Sequence, residues 1–208
     1  MPMPSFDPQA TLKWLTDRLE KEPQNASIHN DLGNLYDLVL SDEEKARTHF
    51  ERAISINPSM ASAHYNYGRF LATKDADFKS AKEHYEKSLA LAPDYAPAHF
   101  GLAILLHTAF KSPEPALRQY QAAVEADPDF ADAYYNMALL ESTELQRYSA
   151  ARQHYEKVLT LRPNHALALY NLALLIRRHF DDTKLATDYY KKAIQLDPTL
   201  KKDRHEIR

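Results

Sequence analysis

Cysteine is absent from the 208-residue sequence, so disulfides, thiolate metal sites and cysteine nucleophiles are excluded together, and a reducing compartment is compatible with it. Glycine occurs three times, too rarely for loops that cradle phosphate or for a protein built on tight β-turns. No stretch reaches the ~20 apolar residues of a membrane span. The opening Met-Pro-Met-Pro-Ser-Phe-Asp-Pro has neither a basic n-region nor an apolar run. Excess positive charge is lacking too: the formal net charge is −3, which argues against a general phosphate-binding surface. Neither HExxH nor Gly-x-Ser-x-Gly occurs. The expectation is a soluble cytoplasmic protein with no catalytic residue, no metal and no cofactor.

What the sequence does have is a proline ladder. Pro23, Pro58, Pro93, Pro128, Pro163 and Pro198 stand 35 residues apart. At ordinary proline frequency, filling five pre-set positions by chance has odds of order 10⁻⁷. The chain is therefore an array of small supersecondary units, stabilised by nearest-neighbour interfaces rather than by one core.

Take the units to begin at Ala26, Ala61, Ala96, Ala131 and Ala166. Each opens with a helix A of about 13 residues. Its fourth, seventh, eighth and eleventh positions share one face: His29, Leu32, Gly33, Tyr36 in the first unit and Leu169, Leu172, Ala173, Ile176 in the last. The eighth position is always Gly or Ala (Gly33, Gly68, Ala103, Ala138, Ala173), as close approach of a second helix requires. Helix B carries a small residue with an aromatic four later: Ala46 and Phe50, Ala81 and Tyr85, Ala116 and Tyr120, Ala151 and Tyr155, Ala186 and Tyr190. Ser41 with Glu44 reads as a capping box, and Ser112 before Pro113 as a helix start. The closing proline stops helix B by pushing the preceding residue out of the α region.

On these residues the sequence resembles the tetratricopeptide repeat family across residues 24–200. The resemblance implies an all-α, right-handed superhelical solenoid of antiparallel helix pairs. Each unit has 35 residues where that family has 34, and the extra one falls in the A–B link, where the family's usual glycine is missing. Residues 9–23 fall into register as a lone B helix with a polar outer face, the pattern of an N-terminal cap. Residues 1–8 read as an extended tail. Residues 201–208 read as a short basic tail that leaves the last helix pair under-capped, which suggests self-association or a longer natural chain.

The resemblance also implies that the A helices line a concave groove and that the chain is a non-enzymatic scaffold or adaptor for another protein or peptide. The expected groove residues are Tyr65, Asn66, Arg69, Phe100, Ile104, Tyr135, Asn136, Leu139, Tyr170, Asn171 and Leu174. The groove is polar in the first unit and apolar in the last three, so the partner segment is expected to be partly apolar. Asn66, Asn136 and Asn171 are suited to hold a partner's backbone, because a carboxamide both donates and accepts. The alternative reading of tyrosine at position five and asparagine at position six is inter-repeat packing.

One subgroup of the family clamps a partner's C-terminal carboxylate. Asn34 and Asn66 match its asparagines, but Asn30, Pro97 and Gly101 stand where basic residues belong, which argues against the clamp. Pentatricopeptide repeats, 35-residue helix pairs that bind single-stranded RNA, are a second alternative, which the acidic balance disfavours. Among the ten histidines, His29, His64 and His99 recur at position four and His49, His84 and His154 precede the helix B aromatic. Equivalent histidines in successive units lie on the order of 10 Å apart, too far to share a zinc ion.

Overall fold

The computed structural model describes residues 7–202, and among them are eleven α-helices and no strand. Helix α1 spans Pro8–Lys21. The A helices are α2 (Ala26–Leu35), α4 (Ala61–Phe70), α6 (Ala96–Thr108), α8 (Ala131–Thr143) and α10 (Ala166–His179). The B helices are α3 (Glu43–Ile56), α5 (Phe78–Leu91), α7 (Pro113–Ala126), α9 (Tyr148–Leu161) and α11 (Thr183–Leu196). The chain divides into two compact units between Leu105 and Leu106. In the first, α2 pairs with α3 and α4 with α5, with α1 laid against α2; in the second, α8 pairs with α9 and α10 with α11.

Helix ends follow the expected chemistry with one correction. Before every closing proline the C-cap residue lies outside the α region, as at Asn57 (φ −131°, ψ 86°) and Asp127 (φ −135°, ψ 95°), so each B helix stops where proline forbids that region. Asp7 caps α1 by accepting from the Gln9 N–H, and Pro8 takes the first helical position, so the helix begins one residue before the expected cap. The capping box at Ser41 is not formed. Asp42 is the N-cap of α3, accepting from the Lys45 N–H, and Asp77 and Asp182 do the same one and four units on. Ser41 instead adopts the left-handed conformation (φ 55°).

That conformation absorbs the thirty-fifth residue. Ser41, Ala76, Lys111, Gln146 and Asp181 occupy the same position of each unit, and all have φ between 49° and 55°. The following N–H then reaches back six residues: Asp42 to the Tyr36 carbonyl (3.0 Å), Asp77 to Leu71 (3.1 Å), Ser112 to Leu106 (2.9 Å) and Arg147 to Glu141 (2.8 Å). In the first two units the widening continues into the helix, as π-helical segments over Tyr36–Leu40 and Leu71–Asp75.

The core repeats the small-against-aromatic pattern. Phe50, Tyr120 and Tyr155 are fully buried, as are Ala46, Ala81, Ala116 and Ala151, each aromatic ring contributing about 2–3 kcal/mol of burial. Gly33 shows why position eight is small, since a Cβ there would stand 2.6 Å from the Phe50 ring. At the C-terminal side Pro198–Lys202 forms a 3₁₀ turn, and the rest of the expected basic tail, like residues 1–6, lies outside the described residues.

Candidate functional site

The expected groove residues fall five in the first compact unit and six in the second. In the first, Tyr65 packs against Tyr85 and stands edge-on to Tyr95 (centroids 5.5 Å), and burial raises its phenol pKa. Asn66 donates from Nδ2 to Asn30 Oδ1 (2.8 Å). Arg69 faces inward: its guanidinium pairs with the fully buried Asp37 carboxylate (2.8 Å) and donates to Asn34 Oδ1 (3.3 Å). Phe100 is half-buried and Ile104 exposed. Gly101 holds position six in this row because Tyr85 takes the space, a Cβ there lying 2.8 Å from its ring.

This unit also holds an apolar hollow that the sequence pattern does not mark. A cavity of about 280 Å³ is lined by Thr11, Trp14, Leu15, Asp31, Asn34, Leu35, Leu38 and Val39. Leu38 is 62% exposed, because the π-helical turn rotates Leu38 and Val39 out of the register that an α-helix would give them. The hollow thus sets Trp14, Leu38 and Val39 beside the polar Asp31 and Asn34. The one tryptophan of the sequence, Trp14, is the signal that could have pointed there.

In the second unit the row closes over a smaller, better enclosed space. Tyr135 stacks on His165 (centroids 5.0 Å) and meets Tyr155 edge-on, and its hydroxyl accepts from Asn171 Nδ2 (3.0 Å). Asn136 turns back to donate to the Asp132 carbonyl of its own helix (2.8 Å). Tyr170 packs against Tyr190 (6.0 Å). Leu139, Asn171 and Leu174 line a cavity of about 180 Å³ together with Ser142, Thr143, Tyr155, Leu175, Arg178 and His179. Each of the three ladder asparagines thus donates one amide hydrogen within the chain: Asn66 and Asn171 bridge neighbouring repeats, whereas Asn136 bonds within its own helix.

The histidines have a different arrangement from the one their spacing suggests. His29 Nδ1 lies 2.9 Å from His49 Nδ1, and His64 Nδ1 3.0 Å from His84 Nδ1, pairing A and B helices within a unit. His64 Nε2 is 3.1 Å from the Pro58 carbonyl and His99 Nε2 2.7 Å from the Pro93 carbonyl, so position four pins the preceding proline turn. A carbonyl only accepts, which fixes His64 as the Nε2–H tautomer and His84 as the Nδ1–H donor to it. Burial is the main cause lowering all four pKa values, with His49 brought to about 4. In the second unit Glu141 replaces the A-helix partner and accepts from His154 Nδ1 (2.7 Å). Among the described residues no three histidine, aspartate or glutamate side chains converge as a metal site.

The tetratricopeptide repeat profile matches residues 37–96, 73–129 and 144–200, and a second profile of the same description matches 119–153. No curated protein matches the chain significantly. Among solved structures, PilF of Pseudomonas aeruginosa is similar at 22% identity and TM-score 0.80, covering 91% of this chain and 84% of that one. PilW, described as a type IV pilus biogenesis factor, is similar at 21% identity and TM-score 0.77, covering 97% of this chain and 89% of that one. YrrB, described as having an unusual peptide-binding site, is similar at 24% identity and TM-score 0.69, covering 89% and 94%. At these identities the likeness shows the fold.

Proposed function

The chain belongs to the tetratricopeptide repeat family, and from that premise we propose that it is a non-enzymatic scaffold whose A helices receive a partly apolar segment of a partner protein. The observation that carries this reading is the cavity of about 180 Å³ on the A-helix face of the second unit, where Leu139 and Leu174 stand half-buried beside Asn171. A pocket of that size is well below the 300–1,000 Å³ of a small-molecule site and suits one side chain of a longer ligand. The peptide-binding description of YrrB supports the same reading by analogy of fold.

The test compares the intact chain with a Leu139→Asp plus Leu174→Asp variant. Partners captured from the source's lysate are identified, purified and titrated against both. A partner that binds the intact chain and loses at least about 100-fold affinity for the variant supports the proposal, as expected for two charges forced into an apolar contact. Equal binding refutes it. The same preparations separate the other readings: single-stranded RNA binding would fall steeply with salt, and self-association would appear as a concentration-dependent mass. Cell fractionation tests the cytoplasmic setting assumed here. No helix among the described residues is long and apolar enough to cross a membrane.

A further inference from the structure

We infer that the hollow between α1, α2 and the π-helical turn after α2 is a second docking site, which takes a bulky apolar side chain of a partner protein together with a lysine or arginine beside it. This does not rest on the reading of the second unit's A-helix face. Four departures from the repeat pattern meet at the hollow. Trp14 stands where later repeats have His49, His84, Gln119 and His154. Leu38 and Val39 stand where they have Thr73 and Lys74, Thr108 and Ala109, Thr143 and Glu144, and Arg178 and His179. Asp31 stands where they have Asn66, Gly101, Asn136 and Asn171.

The turn itself does not call for apolar side chains, since the second π-helical turn, Leu71–Asp75, carries Thr73 and Lys74 at the same positions. Folding gains little from Leu38, which is 62% exposed; Val39 is exposed too and Trp14 half-buried. Three large apolar side chains around a hollow of about 280 Å³ make a patch of the kind that marks an interaction surface. Charge decides what accompanies the apolar group. Asp31 is the one ionisable residue among those lining the hollow. Its neighbours leave it exposed yet remove enough water to raise its carboxyl pKa, against a hydrogen bond from Asn30 and the charge of Arg18. One such hydrogen bond leaves most of a carboxylate's acceptor sites open. Arg18 lies over the Trp14 ring (4.7 Å) and is not part of the lining. An arriving cation is therefore stabilised by Asp31, whereas an acidic segment meets a like charge and a neutral one desolvates the carboxylate without giving it a new partner.

Trp14, the only tryptophan, reports occupancy of the hollow by its fluorescence. A synthetic array of tryptophan-free twelve-residue peptides, acetylated and amidated, is probed with the full chain and with Leu38→Thr plus Val39→Ala, which installs the residues of the third repeat at those positions. Peptides that lose at least about 10-fold affinity for this variant are expected to share a bulky apolar residue beside a lysine or arginine. They should shift Trp14 emission saturably and bind the Leu139→Asp plus Leu174→Asp variant as they bind the parent chain. Asp31→Asn, and replacement of the peptide's basic residue by glutamine, should each weaken binding by about 10-fold and together no further, a coupling that a folding defect would not mimic. Hollow-dependent peptides without a basic residue, or ones that bind Asp31→Asn unchanged, would overturn the inference, as would an array with no hollow-dependent peptide. A shift of Trp14 emission on removal of residues 1–6, with no peptide present, would assign the hollow to the chain's own terminus. A concentration-dependent mass that Leu38→Thr plus Val39→Ala abolishes would assign it to a second copy. Either result would overturn the inference.

Discussion

Acidification should loosen the first compact unit through its histidine pairs, and the size of the effect follows from the structure. Each pair has one Nδ1 donating to the other across about 3 Å. Protonating the accepting ring, His29 or His64, turns two donors toward each other, and protonating its partner charges a ring held largely away from water. The folded state therefore disfavours the proton: His49 is lowered to about 4, and His29, His64 and His84 are lowered too. In the unfolded chain the same rings titrate near 6.5. Since the unfolded state binds more protons between these values, the pairs' contribution is complete above about pH 6.5 and is lost as pH falls toward about 4.

For His49 alone the linkage between about pH 7.5 and about pH 5 amounts to ~2 kcal/mol, and ~1 kcal/mol once solvent screening of a partly exposed ring is allowed for. Trp14, the only tryptophan, lies in the first unit and reports its unfolding by fluorescence. Urea midpoints followed at Trp14 should fall across this range, and His49→Gln should flatten the fall. A midpoint independent of pH, or an undiminished slope in the variant, refutes the paired, neutral description of these rings.

Three further outcomes test the architecture by the same fluorescence and by circular dichroism. Ala76→Gly should stabilise the first unit by about 0.5–1 kcal/mol, because Ala76 holds φ 51° without glycine's freedom, and Ala76→Val should do the reverse. Gly33→Ala should cost about 1–2 kcal/mol despite alanine's better helix propensity, since its Cβ meets the Phe50 ring at 2.6 Å. Arg69→Met should cost about 3 kcal/mol by leaving the buried Asp37 carboxylate without its cation, and adding Asp37→Asn should recover part of that loss. Loss of partner binding in an Arg69 variant must therefore be separated from loss of stability.

The repeat register was open to reading because its marks are steric. Proline cannot continue a helix, and a residue facing Phe50 or Tyr155 has to be small, so both constraints leave the same residue type in every unit. The A–B turn left no such mark. Five different side chains, at Ser41, Ala76, Lys111, Gln146 and Asp181, share one left-handed conformation that usually advertises itself as glycine. Asp42 could take over the cap from Ser41 only because that turn shifts the helix start. The exposure of Leu38 follows from the π-helical turn, which no periodicity of 3.6 contains.

At the candidate site, helical register alone sets the face that Leu139 and Leu174 occupy, and both line the cavity of the second unit. The hydrogen bonds of Asn66 and Asn171 depend on neighbours one repeat away and that of Asn136 on the rotamer that turns it back on its own helix, which the pattern does not encode. The histidine pairs run between positions twenty residues apart inside one unit, His29 with His49 and His64 with His84, whereas the visible periodicity links His29 to His64. Tyr155 reads as pure core in the sequence, and only the packed structure shows that it also contributes to the wall of a cavity.

The central claim is that partners bind the A-helix face of the second unit, and site-specific photocrosslinking tests it most directly. A photoreactive residue is placed at Leu174, and for comparison at Gln153, which is exposed on helix α9. The account predicts a covalent adduct with the partner from position 174 and none from position 153. An adduct from position 153 alone would contradict it and place the binding surface on the B helices.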